Sequence, residues 1–121
     1  MQINIVMAIK EVNITINVKN MDRAIAFYTS LGFTEKIRWE NYYAKLVLDG
    51  VIIGLHPPTR ENLTRNSGNV SIGLYTDDFE EAKRLLQKTA IVYNERKEEG
   101  GEFLHFTDPD GTALYFIKPK W

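Results

Sequence analysis

An order of strand, helix and three strands is readable twice in this chain, the second copy 58 residues after the first. That offset places Asn13 on Ser71, Ile14 on Ile72, Asn20 on Asp78, Met21 on Phe79, Ala24 on Ala82 and Phe27 on Leu85. Identity between the copies is weak, but the element order agrees throughout. A unit this small cannot bury an apolar face alone, so two copies must combine to make a core. The repeat therefore points to one α+β domain spanning residues 1–121, built from two βαβββ modules. The first module is expected over about residues 10–56 and the second over about 69–118, with Pro57–Gly68 (PPTRENLTRNSG) as a linker between them.

Local patterns supply the elements. Val12–Val18 alternates, with Val12, Ile14, Ile16 and Val18 on one face and Asn13, Thr15 and Asn17 on the other, which predicts a half-buried strand. Asn20 is an N-cap for a helix from Met21 to about Leu31, whose apolar stripe is Met21, Ala24, Ile25, Phe27, Tyr28 and Leu31. Gly32 ends that helix. Strands are then expected at Phe33–Trp39, Tyr42–Leu48 and Val51–His56, the last two joined by an Asp49-Gly50 hairpin turn. In the second copy a strand at Ser71–Thr76 precedes a helix from Phe79 to Gln87 or Lys88, capped by Asp77 or Asp78. Strands are expected to follow at Ile91–Arg96, Glu102–Phe106 and Thr112–Ile117.

Composition narrows the function classes. A net charge of −1, without a basic stripe, argues against nucleic acid as a partner. No long apolar run suggests a membrane span, and the opening MQINIVMAIKEV is too broken by polar residues for a signal peptide. Cysteine is absent, which excludes disulfides and thiolate chemistry and makes a cytoplasmic location the simplest expectation. The open strand edges of two small modules predict a homodimer.

Strand parity assigns the inward faces. If the apolar side of each strand packs on a helix, then Asn13, Thr15, Asn17, Ile52, Gly54 and His56 face the other way in the first module. Ser71, Gly73, Tyr75, Ala113, Tyr115 and Ile117 do so in the second. The inward set is thus polar and mostly uncharged: Asn13, Thr15, Asn17, His56, Ser71, Tyr75 and Tyr115. A purely structural interior would be layered with apolar side chains, and polar inward groups need partners or water, so a wet cavity that accepts a small organic molecule is expected. Trp39, Tyr42 and Tyr43 at the second hairpin add flat rings near its mouth.

Two segments, Asn13–Phe33 (NITINVKNMDRAIAFYTSLGF) and Thr107–Lys118 (TDPDGTALYFIK), resemble the vicinal-oxygen-chelate superfamily. That group contains glyoxalase I, fosfomycin-resistance transferases, extradiol dioxygenases and the bleomycin-binding proteins. The resemblance covers roughly residues 10–118 and implies curved, incomplete-barrel mixed sheets with helices outside. It also implies four metal-ligand positions, which here read Asn13, Gly54, Ser71 and Tyr115. None is a good ligand for a transition metal, so no metal and no cofactor is expected. By resemblance to the fosfomycin-resistance branch, the residue three before DPDG, His105, contacts substrate, with Tyr115 as its cross-strand neighbour.

Two function classes follow. One is a metal-free binding or sequestering protein, similar to the bleomycin-binding members, with Asn13, Thr15, Trp39, Tyr43, His56, Ser71, Tyr75, His105 and Tyr115 as ligand-binding residues. Its near-neutral charge argues against bleomycin itself, a cation, and for a neutral flat or amphipathic molecule. The alternative is a lyase, transferase or dioxygenase-type enzyme with unusual ligands, or with His105 as its one candidate general base.

Overall fold

The structure, a computed structural model, describes residues 12–57 and 70–120. The expected linker, Pro57 apart, lies outside the described residues. In chain order the elements are β1 (Ile14–Asn17), α1 (Met21–Ser30), β2 (Thr34–Trp39), β3 (Tyr43–Leu48), β4 (Val51–His56), β5 (Ser71–Tyr75), α2 (Phe79–Lys88), β6 (Asn94–Glu98), β7 (Gly101–Thr107) and β8 (Ala113–Pro119). The strands form two four-stranded sheets, ordered β1-β4-β3-β2 and β5-β8-β7-β6. In each, the first strand of the module pairs in parallel with the last, and the other neighbours are antiparallel. This is the βαβββ–βαβββ arrangement expected of the repeat, in an α+β fold.

Both helices start where a side chain can satisfy their free amides. Asn20 Oδ1 accepts from the Arg23 amide at 2.9 Å, and Asp78 Oδ1 accepts from the Glu81 amide at 3.1 Å. The repeat holds through the helix ends. Gly32 (φ 114°) and Ala90 (φ 59°) occupy equivalent left-handed positions, after which Phe33 N donates to Tyr28 O and Ile91 N to Leu86 O. The Asp49-Gly50 pair has φ of 51° and 86°, the conformation a tight hairpin requires.

α1 packs across β2, β3 and β4, and α2 against β8. The buried strand residues Ile16, Ala44, Leu46, Ile53 and Leu55 lie on one face of the first sheet, and Ile72, Leu104, Phe106, Leu114 and Phe116 on one face of the second. Residues of both modules belong to one apolar cluster. α1 also reaches the second module. The Phe27 and Phe106 rings lie 6.4 Å apart, and Tyr28 Oη donates to Asp108 Oδ2 at 2.8 Å. Asp110 Oδ1 accepts from the Lys19 amide at 3.0 Å. The DPDG segment is thereby a structural knot. Asp108 Oδ1 accepts from the amides of Asp110 (2.9 Å) and Thr112 (2.7 Å) and closes the turn before β8.

Two expectations need correction. Val12 and Ile14 are 74% and 40% exposed, so only Ile16 and Val18 of the alternating run join the core. Alternation identifies a face but not how far along an edge strand the packing extends. The strand expected at Ile91–Arg96 runs instead over Asn94–Glu98. Ile91 is spent closing α2, and Tyr93 packs against the core while its hydroxyl accepts from Gln87 Nε2 at 2.9 Å. Apolar residues of a helix exit had been counted as strand.

Candidate functional site

The sheet faces turned away from the helices carry the chemistry. On the second sheet, Gly73, Tyr115, His105 and Asn94 stand side by side across β5, β8, β7 and β6. The next rung holds Tyr75, Ile117, Phe103 and Arg96. Three rings gather there. Phe103 and His105 stack with centroids 5.4 Å apart and planes 9° from parallel. Tyr115 lies tilted at 5.8 Å from Phe103 and 6.0 Å from His105. Such spacings allow favourable ring–ring contact, and all three residues are half-buried. His105 Nε2 sits 3.4 Å from Glu98 Oε2, a partly exposed pair of modest strength that nevertheless orients the imidazole.

On the first sheet, Thr15, Gly54, Lys45 and Ile37 form one rung. Asn17 stands beside His56, and Tyr43 beside Trp39. His56 Nδ1 lies 2.6 Å from the Pro57 carbonyl. A carbonyl only accepts, so Nδ1 carries the proton. Trp39 is 66% exposed, with the Tyr42 ring 5.5 Å away. Arg38 holds the turn that presents them. Its Nε donates to Glu40 O (2.8 Å), and its Nη2 donates to Asn41 Oδ1 (2.8 Å) and to Asp22 Oδ1 of α1 (2.7 Å).

Each sheet contains a glycine roofed by a tyrosine. A Cβ at Gly54 would lie 2.8 Å from Tyr43 Oη, and one at Gly73 only 2.5 Å from Tyr115 Oη. These contacts bear on the metal that the superfamily resemblance implies. Ligand atoms would have to come from Asn13, Gly54, Ser71 and Tyr115. Any side chain at residue 54 would collide with Tyr43, and the Tyr115 phenol is folded over Gly73. Among the described residues no group of three or more His, Cys, Asp or Glu side chains converges. His56 and His105 stand on different sheets. The residues present do not fit the group.

Of the residues expected from sequence, His105 and Tyr115 are direct cross-strand neighbours. Ser71 and Tyr75 share their face on β5, opposite Ala113 and Ile117. Thr15, Trp39, Tyr43 and His56 share the corresponding face of the first sheet, and Asn13, just before β1, lies 3.4 Å from Thr15 Oγ1. The two sets lie on separate sheets that no pairing among the described strands connects. Phe103 and Glu98 were missed. Phe103 was findable, because it precedes His105 by two residues on one strand and so shares its face. The Glu98 contact was not, because it depends on where β6 begins.

Two βαβββ modules, helices on one side and ring-bearing open sheet faces on the other, define a class of paired-module α+β proteins. The chain belongs to the Glyoxalase/Bleomycin resistance protein/Dioxygenase superfamily, whose profile matches residues 9–116. Among solved structures it is similar to TnmS3, an antibiotic binding protein from Streptomyces sp. CB03234, at TM-score 0.74 and 20% identity over 94% of this chain and 99% of that one. It is similar to a bleomycin-binding protein complexed with bleomycin at TM-score 0.69 and 21% identity over 93% and 100% of the two chains. Lactoylglutathione lyase from Agrobacterium tumefaciens gives TM-score 0.70 and 18% identity over 92% of each. At these identities the likeness is one of fold. No described helix is long and apolar enough to cross a membrane.

Proposed function

We propose that this protein binds a flat, largely neutral organic molecule on the helix-free face of its second sheet, without a metal, and sequesters it. The observation that carries this is the Phe103–His105–Tyr115 cluster, three rings within 6.0 Å of one another on adjacent strands. Ring stacking and one or two hydrogen bonds, each contributing about 1 kcal/mol beside apolar burial, give an affinity on the order of micromolar. The similarity to an antibiotic binding protein and a bleomycin-binding protein supports a binding role. The test is titration of the isotope-labelled protein with naphthalene, a plain flat probe. Shifts of β7 and β8 amides, lost in Phe103→Ala, are expected; binding that leaves β7 and β8 unmoved would overturn the assignment.

A second function is favoured by one contact. Glu98 beside His105 is the arrangement of an oriented general base, and a lyase shares the fold. Turnover of lactoylglutathione, abolished in His105→Ala but not in Phe103→Leu, would establish it over sequestration.

The assembly belonging to this proposal is a cytoplasmic homodimer. Among the described strands β1 and β5 are edges, and Val12, Ile14 and Val70 are exposed at or beside them, as are Ile37 and Trp39 on β2, the opposite edge of the first sheet. Sedimentation showing only monomer at micromolar concentration would contradict it.

A further inference from the structure

We infer that Tyr115, seated over Gly73, selects among flat ligands for those that carry a hydrogen-bond acceptor at the ring edge. The inference rests on the binding function proposed for this face and adds what that face discriminates.

The argument begins with the slot. At residue 73 a Cβ would lie 2.5 Å from Tyr115 Oη, 2.7 Å from Cζ and 3.0 Å from Cε2. No side chain other than hydrogen leaves room for the ring, so glycine on β5 is what lets the phenol lie across the neighbouring strand. His105 and Phe103 confine the ring from the β7 side. The phenol is therefore held in one place before any ligand arrives, and little freedom remains to be lost on binding.

Its hydroxyl is also uncommitted. Among the described residues no hydrogen-bond partner is found for Tyr115 Oη, and the atom is not sealed from solvent. The imidazole beside it is already turned toward Glu98. A fixed O–H next to stacking surfaces offers one directed donor to a molecule lying on Phe103 and His105. The chemistry it recognises is a ring nitrogen or carbonyl oxygen in the plane of an aromatic system. The same construction recurs on the first sheet, where Tyr43 covers Gly54 at 2.8 Å, so a glycine-seated phenol is a feature of both modules.

Quinoline and naphthalene test this, because they share one shape and differ in a single ring lone pair. Both are titrated into the isotope-labelled full chain at a pH where quinoline is neutral. The unaltered protein is expected to prefer quinoline about five-fold, the worth of one hydrogen bond. In Tyr115→Phe, which keeps the ring and its packing, the preference falls to about one-fold while naphthalene still binds. Gly73→Ala, which displaces the ring, gives the same loss. Equal affinity for the two probes in the unaltered protein, or a preference that survives Tyr115→Phe, would overturn the inference and leave the binding function standing. A preference lost in Tyr115→Phe but kept in folded Gly73→Ala would overturn the role of the slot. Failure of both probes to bind this face would remove the proposed function and the inference together.

Discussion

The phenol of Tyr28 donates a 2.8 Å hydrogen bond to Oδ2 of Asp108, 80 residues further along the chain. Both groups are buried, Tyr28 completely and Asp108 to 3% exposure. The bond ties the first module's helix to the turn that launches the second module's last strand, and so joins the two most recognisable segments of the sequence. Tyr28→Phe leaves one carboxylate oxygen without that partner. It is expected to cost about 1.5–3 kcal/mol, the range for a hydrogen bond to a charged acceptor. Urea unfolding with an unchanged slope and a lower midpoint is the check; an unchanged midpoint would deny the bond a part in stability.

The same pair predicts alkaline behaviour. Burial, and then the neighbouring Asp108 carboxylate, push the Tyr28 hydroxyl well above the ordinary tyrosine range. A raised folded value means that the protonated form is favoured in the folded state. Its contribution is complete below the unfolded tyrosine value of about 10 and is lost as pH rises above it. Absorbance titration should therefore show one of the six tyrosines ionising only as the protein unfolds. Tyr28→Phe should be less stable at neutral pH yet lose stability less steeply above that value. All six titrating together in folded protein would contradict this.

Ala90 holds φ at 59°, where the matching position of the first module is Gly32. A Cβ in this region costs about 1–2 kcal/mol, partly offset by the extra freedom glycine brings to the unfolded chain. Ala90→Gly is expected to raise stability by about 0.5–1 kcal/mol, measured as a higher thermal midpoint. A lower midpoint would mean that the strain is not there.

Gly54 and Tyr43 should be coupled. Gly54→Ala forces a Cβ to within 2.8 Å of the phenol oxygen and is expected to cost about 1–3 kcal/mol through overpacking. With Tyr43→Ala already in place, the same substitution should cost far less. A double-mutant cycle showing simple additivity would rule out the collision.

Purified protein should hold no stoichiometric zinc, nickel, manganese or iron, and chelator treatment should leave its thermal midpoint unchanged. The ground is the pair of phenols at Gly54 and Gly73, together with the poor donor set of Asn13, Ser71 and Tyr115. Elemental analysis giving one tightly held metal per chain would reverse this and make His56 and His105 the first ligands to substitute.

Much of the fold is written locally. Asn20 and Asp78 cap their helices with bonds that span three residues, and Asp49-Gly50 turns a hairpin by its own backbone preferences. The pairing of His105 with Tyr115, expected from the family resemblance of the DPDG segment, is the register that β7 and β8 adopt. These features depend on neighbours close in the chain, or on a two-residue period, and such information survives in a single sequence.

Other features are set by packing between distant segments. Nothing in the local pattern of FYTSLGF or DPDG says that Tyr28 would reach Asp108, because the bond exists only when α1 settles against the second module. The glycine seats of Tyr43 and Tyr115 depend on cross-strand register and on which way each ring leans. The start of β6 depends on how many residues α2 needs to close, and with it goes the Glu98–His105 contact. Local hydrogen bonding and periodicity act over a few residues, whereas ring placement follows from how the two modules bury their apolar sides in one cluster. Sequence therefore specified the modules and the faces of their strands, and three-dimensional packing selected which side chains on those faces meet.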